Sequence, residues 1–287
     1  MKRMVINING KLVGFSEQIA NFAVYMGYSL TIDRGNTTSK IVVWDGMSPL
    51  ATLSPASNRA VTADSSRLLK EILDFAKGYD IDRAIISTVR DNIPGLEEAL
   101  AERGISLLNL SAKLDLPIAI DYATPDTLGA DRLAAAIGAW SLWPGREILI
   151  VDIGTAATYD RVTADGRYIG GNIAPGVGMR LRALRTFTAA LPVVQSVGET
   201  PQFGFSTETA MRAGAIYGVV AEISYYRNQM PDDAVVVLTG GWSVDIAKHL
   251  DFPVEQHQLL VNQGLNCILN HIDRHCAHHA DAESALR

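Results

Sequence analysis

An apolar strand that ends in Asp-x-Gly and leads straight into a second strand occurs twice in this chain. Ser29-Leu30-Thr31-Ile32 delivers Asp33-Arg34-Gly35-Asn36-Thr37-Thr38, and Ile41-Val42-Val43-Trp44 follows, ending at Asp45-Gly46. The same grammar returns 119 residues later, where Ile148-Leu149-Ile150-Val151 delivers Asp152-Ile153-Gly154-Thr155 ahead of a hairpin that turns at Asp165-Gly166. Phosphate binding needs backbone amides aimed at the anion and no side chains in the way, which glycine in a turn provides. An aspartate at the strand end can hold Mg²⁺, usually through water. Either turn alone is also an ordinary hairpin, because Asp and Gly are common there. Two such turns, each closing an apolar strand, point to a duplicated unit with a phosphate-binding cleft between its halves.

The remaining pattern is α/β with mixed sheets, since strands alternate with helices. Helices are predicted over Ser65–Lys77, Leu96–Arg103, Leu133–Trp140, Met179–Ala190 and Glu208–Asn228, the last with Gly214 and Gly218 spaced for close helix packing. Ala84-Ile85-Ile86-Ser87 reads as a buried parallel strand, and Val235-Val236-Val237-Leu238 as a strand running into Thr239-Gly240-Gly241. Residues 1–25 read as an appendage, with a weakly amphipathic helix over Lys11–Tyr25; 26–145 form the first half, and 146–287 the second half with a polar, mobile tail after Arg274.

Composition narrows the function. A net charge of −6 with no basic stripe argues against nucleic-acid binding. No apolar run has membrane-spanning length, and the N-terminus lacks the apolar core of a signal peptide. Two cysteines, Cys267 and Cys276, make no disulfide framework, so the expected location is the cytoplasm. The P-loop and G-x-G-x-x-G signatures are absent, as is a serine-hydrolase elbow. His271, His275, Cys276, His278 and His279 match no standard four-ligand metal spacing and read as solvated side chains. Asp131 in Gly129-Ala130-Asp131-Arg132 has two open readings, a base with a cation beside it or a carboxylate at a helix N-terminus.

From about Tyr28 to His271 the chain resembles the type III pantothenate kinases. The resemblance is carried, in order, by Asp33-x-Gly35-Asn36-Thr37, Asp121-Tyr122, Gly129-Ala130-Asp131-Arg132, Asp152-Ile153-Gly154-Thr155-Ala156, Thr158-Tyr159-Asp160, Gly170-Gly171-Asn172-Ile173-Ala174-Pro175-Gly176, Thr188-Ala189-Ala190-Leu191-Pro192 and Thr239-Gly240-Gly241. It implies a duplicated actin-like, ribonuclease H-like ATPase fold. It implies phosphorylation of the primary hydroxyl of pantothenate by ATP, the first step of coenzyme A synthesis. By this resemblance Asp131 is the general base; Arg132, Ala130, Gly129, Tyr122 and Thr188 line the pantothenate pocket; Asp33, Gly35, Asn36, Thr37, Lys40 and Thr155 contact ATP. Asp152 matches a site for K⁺ or ammonium. Mg²⁺ accompanies ATP, and the family's homodimers share the pocket.

The chain departs from the family pattern at Arg34, where a small or apolar residue is usual, at Thr88-Val89-Arg90-Asp91-Asn92, and in its 25-residue extension. Two rivals share the fold: another small-molecule kinase, and a non-catalytic nucleotide-binding accessory factor.

Overall fold

The structure, a computed structural model, describes residues 6–8, 11–13, 27–55, 65–89 and 92–284. Two short strands, β1 (Ile6–Ile8) and β2 (Lys11–Val13), pair antiparallel, so the expected helix is absent at residues 11–13 and its remainder, 14–25, lies outside the described residues.

Two sheets carry the molecule. The first contains β3 (Tyr28–Arg34), β4 (Ser39–Asp45), β5 (Ser48–Leu53), β6 (Ile81–Thr88) and β7 (Ser106–Asn109), in the order β5-β4-β3-β6-β7. The second contains β8 (Ala119–Ile120), β9 (Ile148–Ile153), β10 (Ala156–Val162), β11 (Arg167–Pro175), β12 (Val235–Thr239) and β13 (Glu255–Gln256), in the order β13-β12-β9-β10-β11-β8. Leaving out β8, the two orders are the same, and so is the direction of every pairing: three antiparallel strands followed by two parallel ones. The duplication expected from the repeated turn is therefore present in the topology, and the fold is the duplicated actin-like one.

Helices form three layers around the sheets. On the outer face of the first sheet lie α1 (Ser65–Ala76) and α2 (Leu96–Ala101), whose Ile72 and Leu100 bury against Leu30, Ile32 and Ile86. The outer face of the second carries α4 (Val177–Phe187), α5 (Thr207–Arg227) and α6 (Ser243–Ala247), packed on Leu149, Val151 and Leu238. Between the sheets run α3 (Ala130–Leu142) and α7 (Leu260–Ser284), whose core includes Ile85 from one sheet and Ile148 and Ile150 from the other. The polar tail expected after Arg274 is instead the continuation of α7 to Ser284.

Alternation along the strands decides what faces the cleft. In β9, Leu149 and Val151 point outwards and Ile148 and Ile150 inwards, so Asp152 shares the inner face. In β3, Leu30 and Ile32 point outwards, while Ser29 and Thr31 face α7 and bond to Asn266 and Asn262. Asp33 follows them inwards, and both turn aspartates meet the central helical layer.

Candidate active site

Asp33 and Asp152 occupy equivalent positions, each one residue before the end of the first strand of its sheet. Burial first, and then the neighbouring Asp152 and Asp131 charges, push the Asp33 carboxyl up to about 7, against a lowering influence from Lys40. Burial and Asp131 likewise push Asp152 up to about 6, again opposed by Lys40. Both side chains keep some solvent contact. Three carboxylates and one lysine thus converge from four separate elements.

The loops around them are set by backbone contacts. Gly35 N–H bonds to Thr38 C=O at 3.0 Å, closing the first turn, and Gly154 N–H bonds to Ala156 C=O at 2.9 Å, closing a tighter second one. Across the cleft the hydroxyls of Thr37 and Thr155 lie 2.6 Å apart, so the turns touch. Asn36 is exposed beside Thr37. Lys40 Nζ donates to Gln258 C=O at 2.6 Å, tying β4 to the segment before α7. Gly240 has φ +86°, and a Cβ there would stand 2.4 Å from Asp152 Oδ1. The third glycine turn therefore backs directly onto the Asp152 carboxylate, a role its sequence did not disclose.

Asp131 is the second residue of α3, and its Oδ1 accepts the Arg132 N–H at 2.8 Å. Gly129 makes room for it, because a Cβ at 129 would lie 2.7 Å from that oxygen. Arg132 is buried and points into a network behind Asp131. Its Nη2 donates to Asp160 Oδ1 at 2.6 Å, and its guanidinium carbon sits 5.9 Å from the centre of the Tyr122 ring. Ala130 opens the helix.

Two expected features fall elsewhere. Thr188 caps α4, donates to Leu184 C=O at 2.6 Å, and lines an open groove of about 370 Å³ with Leu184, Phe187 and Gly214. None of the carboxylates above lines that groove. Arg34 is buried on the face opposite Asp33, with its Nη2 donating to Ser65 at 3.3 Å, so this departure is directed towards α1. Gly214 meets nothing within 4 Å, and Gly218 is covered by the Arg180 guanidinium; the glycine pair that brings helices together is Gly138 of α3 and Gly264 of α7. Among the described residues no helix is long and apolar enough to cross a membrane.

Sequence reasoning gave Asp160 no role beyond its place in the Thr158-Tyr159-Asp160 block, and it passed over α7. A carboxylate in mid-strand was the signal for the first. For the second it was Asn262, Asn266 and Asn270 at i,i+4 spacing, which mask an otherwise apolar helix.

Comparison with known proteins follows the geometry. The sequence profile of the family described as "Type III pantothenate kinase" matches residues 29–229. A type III pantothenate kinase of Bacteroides fragilis is 38% identical over 246 residues, covering 85% of this chain and 98% of that one. Among solved structures, a protein of Campylobacter jejuni named as a Baf family transcriptional activator superposes with a TM-score of 0.55 at 19% identity, over 85% of this chain and 99% of that one. A protein of Sinorhizobium meliloti assigned to the 2-dehydro-3-deoxygalactonokinases gives 0.54 at 16%, with the same coverage. At such identities the two structures speak for the fold alone.

Proposed function

The chain belongs to the type III pantothenate kinase family, and from that premise we propose how its cleft works. It phosphorylates pantothenate with ATP and a divalent metal, the first step of coenzyme A biosynthesis. In our reading Asp131 is the base. It takes the proton of the pantothenate primary hydroxyl as that oxygen bonds to the γ-phosphorus; the bond from phosphorus to the bridging oxygen breaks, and ADP leaves. Arg132, Gly129, Ala130 and Tyr122 hold pantothenate, with Thr188 contributed by the second chain of a homodimer. Asp33, Gly35, Asn36, Thr37, Lys40 and Thr155 hold ATP. Asp152 holds K⁺ or ammonium. The family's metabolic role and the cysteine pattern favour the cytoplasm.

The observation that carries this reading is the convergence of Asp131 on Asp33 and Asp152, whose carboxyls its charge helps to push up. Such hard oxygen donors suit Mg²⁺. Among the described residues no three acidic, histidine or cysteine side chains form a cage of their own. Mg²⁺ keeps much of its hydration shell and would be held there largely through water and phosphate oxygens. Bound there, Mg²⁺ would neutralise charge on the phosphates.

A coupled assay with ATP and pantothenate tests the assignment. Asp131→Asn lowers kcat by roughly 10²–10⁴ while nucleotide binding, read by calorimetry, persists. Near-normal turnover in that variant removes Asp131 from the role. In the same assay K⁺ or ammonium supports activity and Na⁺ alone does not; equal rates at matched ionic strength would count against a cation at Asp152.

A further inference from the structure

A carboxylate that the catalytic reading leaves unused lies behind the substrate side of the cleft. Asp160, in the middle of β10, is 1% exposed. It accepts from Arg132 Nε at 3.1 Å to Oδ1 and 3.2 Å to Oδ2, from Arg132 Nη2 at 2.6 Å, and from the Tyr168 hydroxyl at 2.7 Å. Arg132 itself is 6% exposed. The surroundings are built for this pair. Gly171 stands opposite Asp160 on β11, and a Cβ there would lie 2.3 Å from Asp160 Oδ1. The Tyr168 ring meets that of Tyr122 at a tilt of 59°, centroids 6.0 Å apart, and the Tyr122 ring lies beside the guanidinium.

A buried ion pair is a poor device for stability alone, since apolar residues of similar volume often serve as well or better. Its neighbours Ile148, Ile150 and Val162 show that this layer readily takes apolar side chains. What the pair provides is direction. Two of the three guanidinium nitrogens are committed to Asp160, which fixes the plane of the fork beside Tyr122. We propose that Asp160 is a positioning residue that holds the Arg132 guanidinium, beside Tyr122, in the orientation that receives pantothenate. Burial raises the Asp160 carboxyl, against the lowering pull of Arg132 and of the Tyr168 hydroxyl.

The proposal rests on the reading of Arg132 as a pantothenate contact, and steady-state kinetics of Arg132→Gln, Asp160→Asn and the double variant separate the two. Asp160→Asn raises the pantothenate KM about 10- to 100-fold, a loss expected when a binding group shifts by an ångström or less, and leaves the ATP KM unchanged. In the Arg132→Gln background it adds nothing further. If Arg132→Gln leaves the pantothenate KM intact, the reading of Arg132 fails and the positioning role with it. If Arg132→Gln raises that KM and Asp160→Asn does not, or if the two effects multiply in full, only the positioning role is overturned. Should Asp160→Asn fail to fold, Asp160→Glu decides. It keeps the charge and moves the carboxylate by one methylene, and a pantothenate KM equal to wild type would overturn the proposal.

Discussion

The two turn aspartates retain protons that free aspartates would lose. Asp33 is pushed up to about 7 and Asp152 to about 6, mainly by burial and then by neighbouring carboxylates. An acid whose pKa is raised on folding binds more protons folded than unfolded, so stability falls as pH climbs from about 4, the unfolded value, through the folded value. Without nucleotide or metal, the protein therefore loses stability between about pH 4 and 7. Asp33→Asn flattens that slope and is more stable than wild type at pH 8. A shift of about three units corresponds to about 4 kcal/mol, and partial solvent contact reduces this to about 1–2 kcal/mol. Urea melts at pH 5 and pH 8 in the presence of a chelator check this; parallel pH dependence in the two proteins would refute it.

At the scale of elements, α3 and α7 are the structural hub, because their backbones touch. A Cβ at Gly264 would stand 1.8 Å from Ala134 C=O, and one at Gly138 2.3 Å from Leu260 C=O. No side chain fits without parting the helices. Gly264→Ala accordingly costs about 1–3 kcal/mol, as overpacking in a dense core does. Because α3 carries Asp131 at its start, pantothenate turnover also falls at temperatures where the fold survives. Thermal melts alongside kinetics measure both, and a wild-type melting temperature would disprove the close contact. On its other face α7 meets the first sheet through polar groups: Asn262 Nδ2 donates to Thr31 Oγ1 at 3.0 Å and to Lys40 C=O at 3.1 Å, and Asn266 Oδ1 accepts from Ser29 at 2.8 Å. Directional bonds on one side and backbone contact on the other fix the strand that bears Asp33 relative to the helix that bears Asp131.

For the whole molecule, the unexplained surface is apolar. Phe187, Phe203, Phe205, Val193 and Val197 are exposed around α4 and the start of α5, more than isolated surface hydrophobes require. Thr188 sits on this face, in a groove apart from the carboxylate cluster. A homodimer that buries the face and lends Thr188 to the partner's pocket accounts for both facts. Asp131→Asn and Thr188→Arg, each inactive alone, then partly restore activity when mixed and allowed to exchange subunits, because one intact pocket forms in the mixed dimer. Light scattering that reports an active monomer would refute the assembly; an inactive mixture with demonstrated exchange would refute only the shared pocket. The division into 26–145 and 146–287 stands as a proposal of the same scale. Strands β3 to β7 make one sheet and β9 to β13 the other, while β8, from the first segment, pairs with β11 at the edge of the second sheet.

The repeated Asp-x-Gly turn and the alternation of apolar strands were enough to read the duplicated α/β fold, because these depend on residues close together in the chain, whereas Asp131 kept two readings until the family resemblance was brought in. Strand periodicity even dictates that Asp33 and Asp152 face inwards. What sequence could not supply was set by contacts across more than a hundred residues. The central place of α7 arises from a glycine contact with α3 and from asparagines that satisfy a distant sheet. Arg34 points to α1 because it lies on the opposite strand face from Asp33. The tie between Arg132 and Asp160 exists only once β10 is laid beside α3. Local pattern determines which elements form, and the pairing of buried polar groups, whose partners must be found elsewhere in space, is decided by the tertiary structure alone.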